Sequence, residues 1–306
     1  QELLDFMKAG YPVLVENDFF NGKSAKNGAD RINTKYVAAD TQMYDFLKQA
    51  TTDYADRIYT IYNGIDFKTP IRTVPKEEFL KSVGMEWEPD DVIAGIAVRL
   101  SPVKDVPTLL RAMKLAASRN PHLKLLVGGD GEDRQKLEAM TRELGLEKKV
   151  HFAGWLTDVN SFYNAIDINL LTSISETFPY SLTEGTRMHR ATIASRVGGV
   201  PVLIDDGING LIFEPGDEEQ LAQHLLTLAG DPELRRTYGE RIYEKASREF
   251  SIDRMVEHQL EIYESMTDLS ALIEEVEVLL ESQTQRKGLR FPIDCRELTE
   301  PFVYGD

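Results

Sequence analysis

The sequence predicts an α/β protein with a doubly wound, mostly parallel sheet and a smaller α/β lobe ahead of it. Three observations carry that expectation. Residues 92–266 alternate short apolar runs with longer amphipathic segments, the pattern of repeated βα units. Residues 1–62 show the same alternation on a smaller scale. Between them the span 68–91 is polar and reads as a linker. A chain of 306 residues has room for two packed lobes with cores of their own.

Taken in order, "YPVLVEN" (11–17) and "TKYVAAD" (34–40) are expected strands and "TQMYDFLKQAT" (41–51) a helix. "IYTIYNGID" (58–66) reads as a strand ending in an Asn63-Gly64 turn. Beyond the linker the expected strands are "VIAGIAV" (92–98), "LKLLVG" (123–128), "KVHFAG" (149–154), "DINLLT" (167–172), "ATIAS" (191–195) and "GLIF" (210–213). Their β-branched and apolar runs suit strands buried on both faces. Between the first two, "VPTLLRAMKLAAS" places Leu109, Leu110, Met113 and Ala117 on one helical face. "DRQKLEAMTRELG" does the same with Leu137, Met140 and Leu144. Near the end, "LSALIEEVEVLLESQ" (269–283) is a periodic helix with Leu272, Ile273, Val276, Leu279 and Leu280 on one side. Residues 286–306 give no assignment.

Composition narrows the function. Acidic residues outnumber basic ones, 51 to 35, and a formal charge of -16 argues against a broad nucleic-acid footprint while leaving room for a local basic pocket. The one cysteine, Cys295, can form no intramolecular disulfide and belongs to no zinc-binding cluster, which fits a reducing, cytoplasmic setting. No apolar run is long enough to span a bilayer, so membrane association is expected to be peripheral at most. The start lacks the order of a signal peptide, and a first residue other than Met suggests a processed or truncated product. The five histidines show no metal-ligand spacing and read as surface or packing residues.

In an open parallel sheet, ligands bind beyond the carboxyl ends of the strands, where loops enter helix N-termini. Three junctions carry suggestive residues. In "AVRLSPVKDVPT", Arg99 and Lys104 follow a strand, and Asp105 with Pro107 marks a helix start. Two cations beside a positive helix end suit a diphosphate, although such a pair is more often solvated surface charge. In "VGGDGEDRQKL" the glycines can form a ligand-hugging loop or a tight βα turn, and the turn is favoured. No G-x-G-x-x-G pattern appears, so a dinucleotide cofactor is not expected.

The third junction is "SISETFPYSLTEG" (173–185). Ser173 with Glu176 and Ser181 with Glu184 each fit the capping box S-x-x-E, but a helix begun at Ser173 would meet Pro179 in its second turn. Glu176 is therefore expected in a loop, and Glu184 in the first turn of a helix capped near Ser181. Both carboxylates would face the rim to which Arg99 and Lys104 point. Carboxylates accept hydrogen bonds from vicinal hydroxyls, so the grouping suits a nucleotide sugar.

From "VRLSPVKDVPTLLRAM" through "LKLLVGGDGEDRQKLEAM" and "LLTSISETFPYSLTEG" to "IASRVGGVPVLIDDGINGLIFEPGD", the chain resembles the donor-binding lobe of family 4 glycosyltransferases, retaining enzymes of GT-B fold. The resemblance covers roughly residues 91–266. It implies a metal-independent glycosyltransferase acting on a nucleoside-diphosphate sugar and a carbohydrate or lipid-linked acceptor, with no cofactor, in surface polysaccharide synthesis. It matches Arg99 and Lys104 to the pair holding the donor diphosphate, and Glu176 and Glu184 to the E-x7-E signature. The first Glu contacts the sugar in such enzymes and the second the ribose. Arg99, Lys104 and Glu176 are then the catalytic set, with Gly154, Thr177, Phe178, Pro179, Tyr180 and Ser181 also at the donor. Residues 152–155 match the turn beside the base, and Gly198 with Gly199 match the following "GG" turn. Trp87 and Trp155 are expected to pack, Trp155 lying close enough to the base turn to stack.

The resemblance also divides the chain. Residues 1–84 would form a partial acceptor-side lobe with the hinge and 85–250 the donor lobe. Residues 251–306 would form a crossing helix and a tail packing toward the first lobe. "FSIDRMVEHQLEIYESM" (250–266) matches the crossing helix. Two departures stand out. The family usually has Gly at the position of Pro179, whose ring nitrogen carries no N–H. "AGYPVLVENDFF" resembles a mid-lobe strand that usually ends in His-Asp but has Asn17-Asp18 here, so the earlier units of that lobe are expected to be missing.

Overall fold

A computed structural model of the chain describes residues 58–266, with side-chain detail from 59 to 262, and the backbone of two short strands before them. Those strands, β1 (Leu14–Val15) and β2 (Lys35–Ala38), pair in parallel with β3 (Ile58–Thr60), in the order β1-β2-β3. The expected helices at 41–51 and 269–283 lie outside the described residues.

The second sheet has six parallel strands: β4 (Val92–Ala97), β5 (Leu123–Gly128), β6 (Val150–Gly154), β7 (Ile168–Leu171), β8 (Ala191–Ser195) and β9 (Leu211–Phe213). Their order is β6-β5-β4-β7-β8-β9, so the winding reverses between β4 and β7. The crevice outside the carboxyl ends of those two strands is where a doubly wound sheet takes its ligand.

Helices cover both faces because alternate strand residues on both faces are apolar. Ala94, Ile96, Leu125, Val127, Ile168, Leu170, Ile193 and Phe213 share one buried cluster. Their partners there are α2 (Val106–Ala117), α3 (Arg134–Glu143) and α7 (Glu218–Gly230). On the opposite face Ile93 and Leu126 pack with α1 (Lys76–Ser82) and α4 (Val159–Ala165). Leu171, Ala194 and Ile212 pack with α5 (Tyr180–Arg187), α6 (Val200–Leu203) and α8 (Pro232–Glu249). The last described helix is α9 (Ile252–Met266), two residues inside the segment expected at 250–266.

Helix α2 begins as its sequence indicated, with Asp105 at the N-cap and Pro107 in the first turn. The "GGDG" stretch is a packing turn: a Cβ on Gly129 would lie 1.8 Å from the Val98 carbonyl oxygen, so only glycine lets the two loops meet.

The polar span 68–91 is more than a linker. It contains α1, whose Phe79 and Leu80 are buried. Lys76 pairs with Asp167 at 2.9 Å, the Val74 amide donates to Ser161 Oγ at 2.9 Å, and His151 Nε2 bonds the Val83 carbonyl at 2.7 Å. Asp167 also accepts from the Ile93 amide at 2.8 Å, which ties α1 to the start of β4. These contacts come from α4, β6 and the residue just before β7, and no local periodicity announces them.

Candidate functional site

Past β4 the chain makes a 3-10 turn, Pro102–Lys104, before α2. The segment after β7 is bonded onto that turn. Thr172 Oγ1 donates to the Lys104 carbonyl at 2.7 Å, and the Ile174 amide donates to the Val103 carbonyl at 2.9 Å. These bonds bring two side chains together across the point where the strand order reverses. Lys104 Nζ lies 2.5 Å from Glu176 Oε1, and Ser173 Oγ donates to the same oxygen at 2.6 Å. The Lys104 and Glu176 side chains are only 21% and 11% exposed. Ser173 is fully buried, and its carbonyl accepts from Ser195 Oγ at 2.6 Å.

The S-x-x-E spacing at Ser173 and Glu176 thus serves a purpose other than capping. The two side chains bond each other directly, whereas a capping box joins each side chain to the other residue's backbone N–H, and the backbone there is loop. The other S-x-x-E pair does not cap either. Helix α5 starts at Tyr180 with Pro179 at its N-cap and no side-chain cap, so Ser181 is the second helical residue. Glu184 consequently falls in the second turn rather than the first. Proline suits the N-cap because its φ of -74° leads into a helix and its missing N–H leaves nothing unsatisfied.

The other predicted site residues take distinct places. Arg99 is exposed, and its Nη2 lies 3.2 Å from Glu132 Oε2, a solvent-screened pair that contributes little to stability. Thr177 and Tyr180 are exposed, while Pro179 is buried. The Phe178 ring is 1% exposed and packs between Tyr62 and Phe250, so the backbone is what Phe178 offers the loop surface. Gly154 ends β6 with φ 75°, and Trp155 after it is 78% exposed. The packing role expected for Trp155 is therefore corrected. It borders a cleft of about 460 Å³ between α1 and the β6–α4 loop, lined also by Phe79, Val83 and Leu156. Trp87 does pack, against the cluster under α1.

Glu184 is half-buried, and burial raises its carboxyl pKa above the usual range, an effect the neighbouring Tyr163 hydroxyl partly opposes. That hydroxyl donates to the Ser181 carbonyl at 3.0 Å, and Tyr163 itself is fully buried. Tyr163 and the Ser173–Glu176 bond were not identified from sequence as parts of this region. The second had a visible signal, the S-x-x-E spacing, and the first had none. Among the described residues no group of three or more His, Cys, Asp and Glu side chains could hold a metal, and no helix is long and apolar enough to cross a membrane.

Residues 82–245 match the family model described as glycosyl transferases group 1, more than half of the chain. The chain belongs to that family. Among similar proteins, the D-inositol 3-phosphate glycosyltransferase of Saccharomonospora viridis is 30% identical over 68% of this chain and 50% of its own length. The lipopolysaccharide core biosynthesis glycosyltransferase LpsE of Rhizobium meliloti is 30% identical over 49% and 44%. The chain spans about half the length of such relatives. Among solved structures, Anabaena HepE in complex with UDP superposes with a TM-score of 0.76 at 22% identity, covering 86% of this chain and 75% of that one. HepE in complex with UDP-glucose gives 0.72 at 24%, covering 87% and 74%. The fold is accordingly the GT-B type, with a Rossmann-like six-stranded lobe.

The half-buried Glu184 gives stability a readable pH dependence. A carboxyl whose folded pKa is raised binds its proton more tightly in the folded state. Its contribution is most favourable below the unfolded pKa, near 4.5, and is lost as pH rises through the folded value. Glu184→Gln, which cannot ionise, is expected to melt about 1–4 °C above the parent at pH 8, the gap closing at pH 4. Melting curves at the two pH values check this, and an equal gap at both would contradict it.

Proposed function

We propose that the chain forms the nucleotide-sugar-binding portion of a retaining, metal-independent glycosyltransferase. It would move a hexosyl group from a nucleoside-diphosphate donor to a carbohydrate or lipid-linked acceptor in surface polysaccharide synthesis, at the cytoplasmic side. The observation that carries this reading is the Lys104–Glu176 pair, set at the reversal of strand order and held there by Ser173 and Thr172. A cation and a carboxylate side by side match the junction between a donor's phosphate and its sugar. Lys104, with Arg99 from the same strand exit, faces the diphosphate, and Glu176 accepts from sugar hydroxyls. Glu184 accepts from the ribose, and the end of β6, with Gly154 buried and Trp155 exposed after it, lies beside the base.

In transfer, the bond between the anomeric carbon and the diphosphate oxygen breaks while the acceptor hydroxyl attacks from the same face and passes its proton to the departing phosphate oxygen. Charge builds on the leaving oxygen, where Arg99 and Lys104 stabilise it. Pro179 supplies no N–H at the start of α5, so backbone contact with the donor falls to the Tyr180 and Ser181 amides. Support comes from family membership and from the complexes of HepE with UDP and with UDP-glucose. Because the chain spans about half the length of its relatives, a binding portion that needs a further segment for turnover is the second reading.

A thermal-shift series with UDP-sugars and GDP-sugars tests the proposal. A ligand at 100 times its Kd adds about 2.7 kcal/mol, or roughly 5–10 °C. Glu184→Ala should remove most of that shift. If no nucleotide sugar raises the midpoint, the reading is wrong; if one does but no transfer or donor hydrolysis follows, the second reading holds.

A further inference from the structure

We infer that Asn63, in the crossover from the three-stranded to the six-stranded sheet, is a positioning residue for the loop that carries Glu176. The inference rests on the proposed contact between Glu176 and the donor sugar. The Asn63 Nδ2 donates to the Phe178 carbonyl at 3.1 Å, joining residues 115 positions apart. Because a carbonyl can only accept, the amide orientation is fixed by this bond.

The loop from Ser173 to Pro179 is held by residues outside it. The Gly199 amide donates to the Thr177 carbonyl at 2.7 Å, and Asn63 takes the next carbonyl. The ring of Phe178 lies 5.1 Å from Tyr62 and 5.0 Å from Phe250, which are themselves 5.5 Å apart. Tyr62 and Asn63 belong to the first pass of the chain beside this lobe, and Phe250 to the second. The two passes are bonded to each other: the Ile65 amide donates to the Phe250 carbonyl and the Ile252 amide to the Ile65 carbonyl, each at 3.0 Å. A Cβ on Gly64 would lie 2.7 Å from Ile252 Cα, so the passes touch backbone to backbone. The carboxylate of Glu176 therefore stands on a loop whose far end is fastened to the crossover, and Asn63 makes the directional part of that fastening. A displaced loop would misplace Glu176 against the sugar while leaving Lys104 and Arg99, in the separate connection after β4, in position for the diphosphate.

The experiment compares binding of UDP with UDP-glucose, and of GDP with GDP-mannose, in the full chain. The ratio within each pair isolates what the sugar contributes. Asn63→Ala and the isosteric Asn63→Asp, which cannot donate to a carbonyl, are expected to weaken the sugar nucleotide about 5–10-fold and the free diphosphate less than twofold. Measurements well below each variant's melting midpoint keep the comparison among folded molecules. Parallel weakening of both ligands, or no change in either, overturns the inference. Glu176→Gln runs alongside. If it leaves the sugar's contribution intact, the assignment of Glu176 itself is wrong. If it abolishes that contribution while the Asn63 variants do not, only the role of Asn63 fails. Absence of binding by every nucleotide sugar removes the proposed function and this inference with it.

Discussion

Gly198→Ala is expected to melt about 5–15 °C below the parent and to lose most of its affinity for a nucleotide sugar. Gly198 sits at φ 48°, a left-handed conformation that costs a residue with a Cβ roughly 1–2 kcal/mol. The larger effect is collision. The added carbon would lie 2.0 Å from the Glu176 carbonyl oxygen and 2.8 Å from that of Thr177, and backbone atoms cannot rotate away. Relief requires the loop itself to move, and the loop carries the Glu176 carboxylate away from Lys104 and Ser173. Together the two effects come to about 2–4 kcal/mol. Gly216 offers the control: its φ is 82°, but its Cβ would meet nothing within 4 Å. Gly216→Ala should show the conformational cost alone, with ligand binding intact. Calorimetry and nucleotide-sugar titration of both variants decide the matter. Equal losses in the two would mean that the loop is not packed against residue 198.

The contrast between those two glycines marks what a sequence can and cannot disclose. The βα alternation disclosed every strand of the six-stranded sheet to within one or two residues, because each is apolar on both faces and bounded by turn residues. Asp105 and Pro107 disclosed the start of α2 in the same local way. The parts that escaped are those fixed from a distance. Helix α1 has few apolar residues of its own, and its place follows from Asp167, Ser161 and His151. Trp155 reads as a packing residue by type, yet it stands exposed beside a cleft whose other wall is α1.

At the candidate site the same division holds. Lys104 and Glu176 were placed at one rim by strand topology alone, and they do meet. The S-x-x-E spacing was visible twice: Pro179 rightly ruled out capping for Ser173 and left Glu176 in a loop, but the cap and first turn expected at Ser181 and Glu184 were wrong. A local rule could not see that Pro179 would cap α5 or that Ser173 would hold a loop carboxylate. Asn63 was recognised only as a turn residue, since its partner is 115 positions away.

Lys104→Met should weaken nucleoside-diphosphate binding by about 30–150-fold, the equivalent of losing a charge-assisted contact of about 2–3 kcal/mol. It should also destabilise the ligand-free chain. Removing one member of a buried ion pair costs about 3–5 kcal/mol, and with side chains 21% and 11% exposed a discounted figure of about 1–3 kcal/mol is expected. The loss arises because Glu176 Oε1 is left with Ser173 Oγ as its remaining donor once the ammonium partner is gone. That origin can be separated from binding. Lys104→Met combined with Glu176→Gln removes the stranded charge, so stability should return to within about 1 kcal/mol of the parent. Affinity should not return, because no cation faces the phosphates. Recovery of both properties in the double variant would reduce the pair to a structural tie between the β4 and β7 loops. Recovery of stability alone would mean that the two charges are kept together at the strand reversal for the ligand, since the fold does without them.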